Sequence, residues 1–314
     1  MHDLPTEPVQ TSLGTASLRR DPGAPSRVTL LLGSTESSHL DLEDPEYLEF
    51  EYMQQMAVLL DASRPAGPVR ALHLGGAGCA FPRALDARRP GSTQLAVELD
   101  EVLATLVRQW FDLPRAPRLR IRTGDARAVT AAQRPGSWEV VVRDVFAHAE
   151  VPRHVRTLEA AAEVRRALVP GGLYLVNLTD HPPLYKARAE VATLQEVFAD
   201  VQLVADPAIL RGRRYGNVVL AASDEPLPVT EVERGLRRLP LPVRLVHGAE
   251  LVSFRGTVPP VRDEPAADEQ EPDRPVPHAA PDASPAAPGA TAGPTAPAAP
   301  DAPLPARDAA PPGL

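Results

Sequence analysis

The chain has 314 residues, enough for one large domain or two small ones around a sizeable core. A formal charge of -8 with 43% hydrophobic residues reads as globular, and its overall field repels a phosphate backbone, which argues against nucleic acid as a partner. The single cysteine, Cys79, excludes an internal disulfide framework and any multi-cysteine metal site, so no metal is expected.

The first residues, MHDLPTEPVQ, lack a basic stretch followed by an apolar one, and no apolar run reaches the roughly 18 residues of a membrane span. The expectation is a cytoplasmic protein with no membrane partner. Residues 1–25 are polar and proline-dotted and are predicted to be a flexible N-terminus. RVTLLLG (27–33) and SHLDLED (38–44) are predicted to pair as a hairpin. Asp44-Pro45 then offers an N-cap and a first-turn proline, and Leu48, Tyr52, Met56, Leu59 and Leu60 recur at helical spacing. Residues 26–66 are thus read as a small hairpin-and-helix unit.

From residue 67 onward strand-like and helix-like segments alternate. VRALHL, TQLAVEL, RLRIRTG, WEVVVRD, GLYLVNL, VQLVAD and GNVVLAAS read as seven strands. Helices are predicted from near Pro82, over Val102–Trp110, around His154–Leu168 and around Tyr185–Ala199. Nearly all-apolar strands between amphipathic helices indicate a mainly parallel sheet covered on both faces. The fold class expected for 67–258 is therefore α/β: a Rossmann-like, doubly wound, mainly parallel seven-stranded sheet with ligands at the carboxyl ends of its strands. Residues 259–314 are proline, alanine and acidic residues that cannot bury enough surface to offset ordering entropy. They are predicted to be a disordered tail, either inert and solubilising or a partner-docking segment.

Candidate chemistry falls at the predicted strand ends. Gly75, Gly76 and Gly78 follow the first strand in LHLGGAGCAF, where glycine lets backbone come close to a ligand. Glu98 ends the second, where an acid can accept both hydroxyls of a ribose, and Asp100 just beyond it reads as a helix cap. Asp125 follows the third strand in TGDAR, able to face an adenine amine or to cap a turn. Asp144 ends the fourth, and Asn177 lies near the end of the fifth. GGAGCA lacks the spacing of the dinucleotide fingerprint, and each residue singly also fits an ordinary turn or cap. Their ordered recurrence at successive strand ends favours a nucleoside site.

The succession HLGGAG, VELD, GDAR, VVVRDVF and ALVPGGLYLVNL resembles the spermidine synthase family (polyamine aminopropyltransferases), which shares the class I methyltransferase fold, over about Arg27–Ser223. The resemblance implies that Glu98 binds the ribose hydroxyls of an adenosyl cofactor, S-adenosylmethionine or decarboxylated S-adenosylmethionine. It further implies that Asp125 faces the adenine and that the backbone of Gly75, Gly76 and Gly78 accommodates the cofactor's aminopropyl or amino-acid end. Asp144 matches the carboxylate that takes a proton from the attacking amine or steadies it. Tyr52 retains one half of the family's tyrosine-histidine pair on the acceptor side. His148 reads either as a substitute general base or as a surface histidine. Cys79 reads as a packing residue or, at a helix start, as a reactive thiolate. A small amine or other small acceptor and a homodimer are the implied partners, although no heptad or apolar stripe marks a dimer.

The sequence also departs from the family pattern. Gly78 stands where an aspartate usually holds an amine, Ala147 where a second active-site aspartate usually stands, and Met53 where the paired histidine usually stands. A dicationic diamine in a partly dry cleft needs paired carboxylates, so putrescine is not the obvious acceptor. Three functions follow: an aminopropyl transferase with a different or looser acceptor, an S-adenosylmethionine-dependent methyltransferase, and a non-catalytic nucleoside-binding member of the family.

Overall fold

The computed structural model describes residues 4–147 and 150–264. Four strands come first: β1 (Val9–Gln10), β2 (Thr15–Asp21), β3 (Ala24–Leu32) and β4 (Thr35–Asp41), antiparallel and paired in that order. β3 and β4 are the predicted hairpin. The flexible N-terminus expected over residues 1–25 is corrected, because β1, β2 and the start of β3 lie within it. β2 pairs Ala16 with Leu32 and Leu18 with Leu30, and Ala16 is fully buried. Its few apolar side chains sit on one face and the backbone ladder supplies the rest, which a polar composition conceals.

Helix α1 (Glu51–Ser63) starts later than the Asp44-Pro45 signal suggests. Asp44 caps a turn instead: its Oδ1 accepts from the Glu46 amide at 2.9 Å, and its carbonyl accepts from Tyr47 at 3.4 Å. Met53, Met56, Leu59 and Leu60 then form the buried face of the helix.

The larger sheet is assembled from β5 (Arg70–Leu74), β6 (Thr93–Glu98), β7 (Leu119–Thr123), β8 (Trp138–Arg143), β9 (Leu168–Asp180), β10 (Asp200–Ala205), β11 (Gly216–Ser223) and β12 (Arg244–Val246). Between them run α2 (Ala80–Arg88), α3 (Glu101–Trp110), α4 (Ala126–Ala131), α5 (Leu158–Ala167), α6 (Tyr185–Val197), α7 (Pro207–Leu210) and α8 (Val229–Leu236), with α9 (Gly248–Arg255) last. The strand order is β12-β10-β11-β9-β8-β5-β6-β7. β9, β8, β5, β6 and β7 are mutually parallel, and β11, β10 and β12 join antiparallel. The seven predicted strands are all present; β12 adds a short edge strand to the count.

Alternation along the strands divides the core into two faces. Val140, Val142, Leu173 and Leu175 join the layer formed with α1, α2 and the N-terminal sheet. Val141, Tyr174, Val176 and Leu178 join the layer under α5 and α6. A parallel sheet covered on both sides therefore reads as continuous apolar strands. Among the described residues no helix is long and apolar enough to cross a membrane.

The tail predicted from Pro259 needs correction at its beginning, while its remainder, 265–314, lies outside the described residues. The Val261 carbonyl accepts from the Leu158 amide at 2.8 Å, satisfying one of the orphan donors at the start of α5. Its own amide donates to Thr193 Oγ1 at 2.9 Å, and Asp263 pairs with Arg127 at 3.1 Å. Composition alone misses these ties because they need no apolar side chain. A chain ending at Pro259 is expected to be less stable than one ending at Glu264 by about 1–3 kcal/mol, as read from paired urea melts.

Candidate active site

The site is built where the sheet changes direction. β5 lies between β6 and β8, so the chain winds outward to one side through β6 and β7 and to the other through β8 and β9. Such a switch point opens a cleft above the strand ends. Here the cleft floor is backbone. The Asp144 amide donates to the Leu74 carbonyl at 2.8 Å, and the Gly75 amide donates to Val97 at 3.0 Å. Gly75 has φ +90°, and a Cβ on it would stand 2.1 Å from the Asp144 carbonyl oxygen. No other residue fits there.

Beyond Gly75 the turn closes on Glu98. Glu98 Oε2 accepts from the amides of Gly76 at 3.2 Å and Ala77 at 2.7 Å, and Oε1 accepts from the Asp100 amide at 3.0 Å. The Glu98 carbonyl accepts from the Gly124 amide at 2.9 Å, which sets Asp125 beside it. Asp125 Oδ1 caps α4 through the Ala128 amide at 2.9 Å, and His154 Nε2 donates to Oδ2 at 2.8 Å. Burial pushes the Asp125 carboxyl up, but the Ala128 amide and His154 outweigh it and leave the pKa below the ordinary value.

Asp144 occupies the centre. Tyr52 Oη donates to Oδ2 at 2.8 Å and Asn177 Nδ2 to Oδ1 at 2.8 Å. Asn217 Nδ2 in turn donates to Asn177 Oδ1 at 3.0 Å, fixing which way that amide points. The residue keeps some surface at the cleft, yet desolvation raises its carboxyl above the ordinary value against the pull of Asn177, Tyr52 and Arg143. Burial, and then Asp144 itself, lift the Tyr52 phenol well above its usual range, so it remains a donor.

Behind Asp144 the sequence hides a charge. Arg143 and Glu190 are each 1% exposed and pair at 2.7 Å, and Glu190 also takes Arg156 at 2.9 Å. In VVVRD the arginine interrupts an apolar run, and that interruption was the available signal. His154, Asn217 and Glu190 had none, being brought in from distant segments.

The remaining candidates separate as follows. Asp100 is a cap, accepting from Leu103 at 2.8 Å, and it also holds the amides of Ser12 and Leu13 of the N-terminal sheet. Cys79 is buried with its thiol pushed up to about 12 by burial and then by Glu98, so the thiolate reading is corrected to packing. Gly78 donates its amide to Ser38 Oγ at 2.9 Å, and a Cβ on it would stand 2.7 Å from Ser38 Cβ and 3.2 Å from Leu40 Cδ1. β4 fills the space where an acidic side chain would begin. His148 lies outside the described residues.

No protein-family model matches the chain. The polyamine aminopropyltransferase of Chromobacterium violaceum is 27% identical over 207 residues, covering 65% of this chain and 76% of that protein. That of Vibrio vulnificus is 29% identical over 135 residues, 42% of this chain and 44% of that protein, so the chain matches less than half the length of this relative. A solved structure of a probable spermidine synthase from Corynebacterium glutamicum matches with a TM-score of 0.78 at 35% identity. The match covers 83% of this chain and 98% of that one. Near-complete coverage at that identity establishes that the chain belongs to the spermidine synthase (polyamine aminopropyltransferase) family.

Proposed function

We propose that this chain transfers an aminopropyl group from decarboxylated S-adenosylmethionine to an amine, with Asp144 as the proton acceptor. The setting of Asp144 carries the reading: a desolvated carboxylate fixed by Tyr52 and Asn177 at the floor of the cleft, its backbone against the glycine turn. An ammonium is no nucleophile, so a proton must leave the acceptor before or during attack. Desolvation strengthens the affinity of Asp144 for that proton, and the hydrogen bonds from Tyr52 and Asn177 limit the rise. The lone pair of the acceptor nitrogen forms the bond to the aminopropyl methylene. The carbon–sulfur bond breaks with its electron pair kept by sulfur, whose positive charge is lost, and the surplus proton passes from nitrogen to an Asp144 oxygen.

The residues around the turn fit an adenosyl donor. A Cβ on Gly76 would make only ordinary contact with Glu98, 3.4 Å from its Cβ, so packing within the protein does not demand glycine there. A donor passing close to the backbone does. Glu98 offers roughly four acceptor positions, and the amides of Gly76, Ala77 and Asp100 take three of them. One position on Oε1 is left for a ribose hydroxyl. In this reading Asp125, with His154 on its other oxygen, faces the adenine.

Gly78 favours a second reading. With β4 filling that position, no acid stands there to repel the carboxylate of intact S-adenosylmethionine, which suits a methyltransferase. Calorimetric titration separates the two readings. The decarboxylated donor is expected to bind at least about tenfold tighter than S-adenosylmethionine, a difference of about 1.4 kcal/mol. Methylthioadenosine and S-adenosylhomocysteine serve as the matching products. Preference for the carboxylated pair would move the assignment to methyl transfer, and no binding by any of the four would remove the nucleoside site. Glu98→Gln, which keeps an oxygen for the turn amides, should weaken all four alike.

The packing at Gly78 generates a separate expectation. Gly78→Asp should not restore a diamine site but should cost about 1–3 kcal/mol by forcing β4 aside. Ser38→Gly in the same chain should recover part of that loss, as read from a double-mutant cycle of urea melts.

A further inference from the structure

We infer that the acceptor of this site is an amine that also carries an anionic group, and that Arg211 and Arg213 recognise that group. The inference rests on the transferase reading and names its acceptor class. β11 runs antiparallel to β9, so its first residues stand at the carboxyl end of the parallel strands, over the cleft. Asn217, in that first turn of the strand, is joined to Asp144 through Asn177. The segment just before it, Arg211–Tyr215, is therefore the rim of the acceptor side. It carries Arg211, Arg213 and Arg214, all exposed.

The carboxylates facing this rim do not balance it. Asp206 pairs with Arg214 at 2.7 Å, and Glu51, the neighbour of Tyr52, acts on the same guanidinium. Among the described residues Arg211 and Arg213 form no ion pair. Nearby, Lys186 is matched by Glu150 at 2.6 Å. Below the cleft the buried group Arg143–Glu190–Arg156 holds two guanidiniums to one carboxylate. In the family resemblance, Gly78 and Ala147 stand where amine-binding acids usually do.

Asp144 thus stands between Arg143 behind it and a rim where Arg211 and Arg213 accompany the paired Asp206 and Arg214, Glu51 and the buried Asp180, whose carboxylate is taken by backbone amides. One carboxylate suits one reacting amine. A second ammonium on the acceptor would meet arginines, whereas a carboxylate or phosphate would meet two free guanidiniums. On this rim the two guanidiniums without an acidic partner favour an anionic group over a second ammonium.

Putrescine and ornithine differ by one carboxylate and make the direct comparison; aminoethyl phosphate distinguishes a phosphate from a carboxylate as the anionic group. With purified full chain and decarboxylated S-adenosylmethionine, kcat/KM for ornithine or aminoethyl phosphate should exceed that for putrescine. The double variant Arg211→Ala/Arg213→Ala should raise KM for the better anionic acceptor about tenfold, the scale of one lost charge-assisted hydrogen bond, with kcat little changed. It should leave the KM of putrescine unchanged or lower it. Putrescine as the best acceptor in the unmodified chain, or an anionic acceptor indifferent to the double variant, would overturn the inference. Calorimetry on the chain saturated with methylthioadenosine separates failure of transfer from failure of recognition. Ornithine or aminoethyl phosphate binding that needs the two arginines, without turnover, would leave recognition standing and end the aminopropyl assignment. Binding of neither would end the inference, whereas methylthioadenosine binding reports on the donor site independently.

Discussion

The site depends on one backbone contact, the approach of the Gly75 turn to Asp144 across the gap between β5 and β8. The Asp144 amide closes the last rung of the ladder on Leu74, while its carbonyl fills the space that a side chain on residue 75 would need. This fixes the direction of the Asp144 carboxylate before any side chain acts on it. Tyr52 from α1 and Asn177 from β9 then hold its two oxygens, so three separate elements converge on one group. Such placement on strands and a helix, rather than on loops alone, holds the carboxylate in a constant position.

The N-terminal sheet acts as part of the same site. Ser38 takes the Gly78 amide, Leu40 packs against that turn, and Asp100 ties residues 12 and 13 to the start of α3. Glycine at position 78 is therefore tied to the strand that covers it. β4 packs into the place where a side chain would start. At the rim, the antiparallel run of β11 brings the exposed segment before Gly216 to the carboxyl end of the parallel strands.

Much of the fold was legible in the sequence, because a parallel sheet covered on both faces writes its strands as apolar runs such as VRALHL and WEVVVRD. Glycine and acidic residues at the strand ends marked the edge that carries the site: Gly75, Glu98, Asp125 and Asp144 lie along one row of hydrogen bonds. β1 and β2 were not legible, since pairing there is mainly by backbone and few apolar side chains, among them Val9, Ala16 and Leu18, pack inward. The start of α1 was misplaced because Asp44-Pro45 fits a turn as well as it fits a helix cap. Partnerships such as Asp125 with His154, or Arg143 with Glu190, join segments far apart in the chain and leave no local pattern.

The central claim is that Asp144 is a desolvated carboxylate with a strengthened hold on its proton. Because its folded-state pKa lies above that of the unfolded chain, the native protein binds more protons in the window between the two values. Its ionised form costs stability at neutral pH, and that cost is relieved as pH falls through the folded-state pKa. The most direct measurement is the difference in unfolding free energy between the unmodified chain and Asp144→Asn, followed from pH 7 downward. The account predicts that the unmodified chain gains stability relative to the variant as pH falls. A relative loss on acidification would show a carboxylate held ionised by its neighbours, and would contradict its role as the proton acceptor.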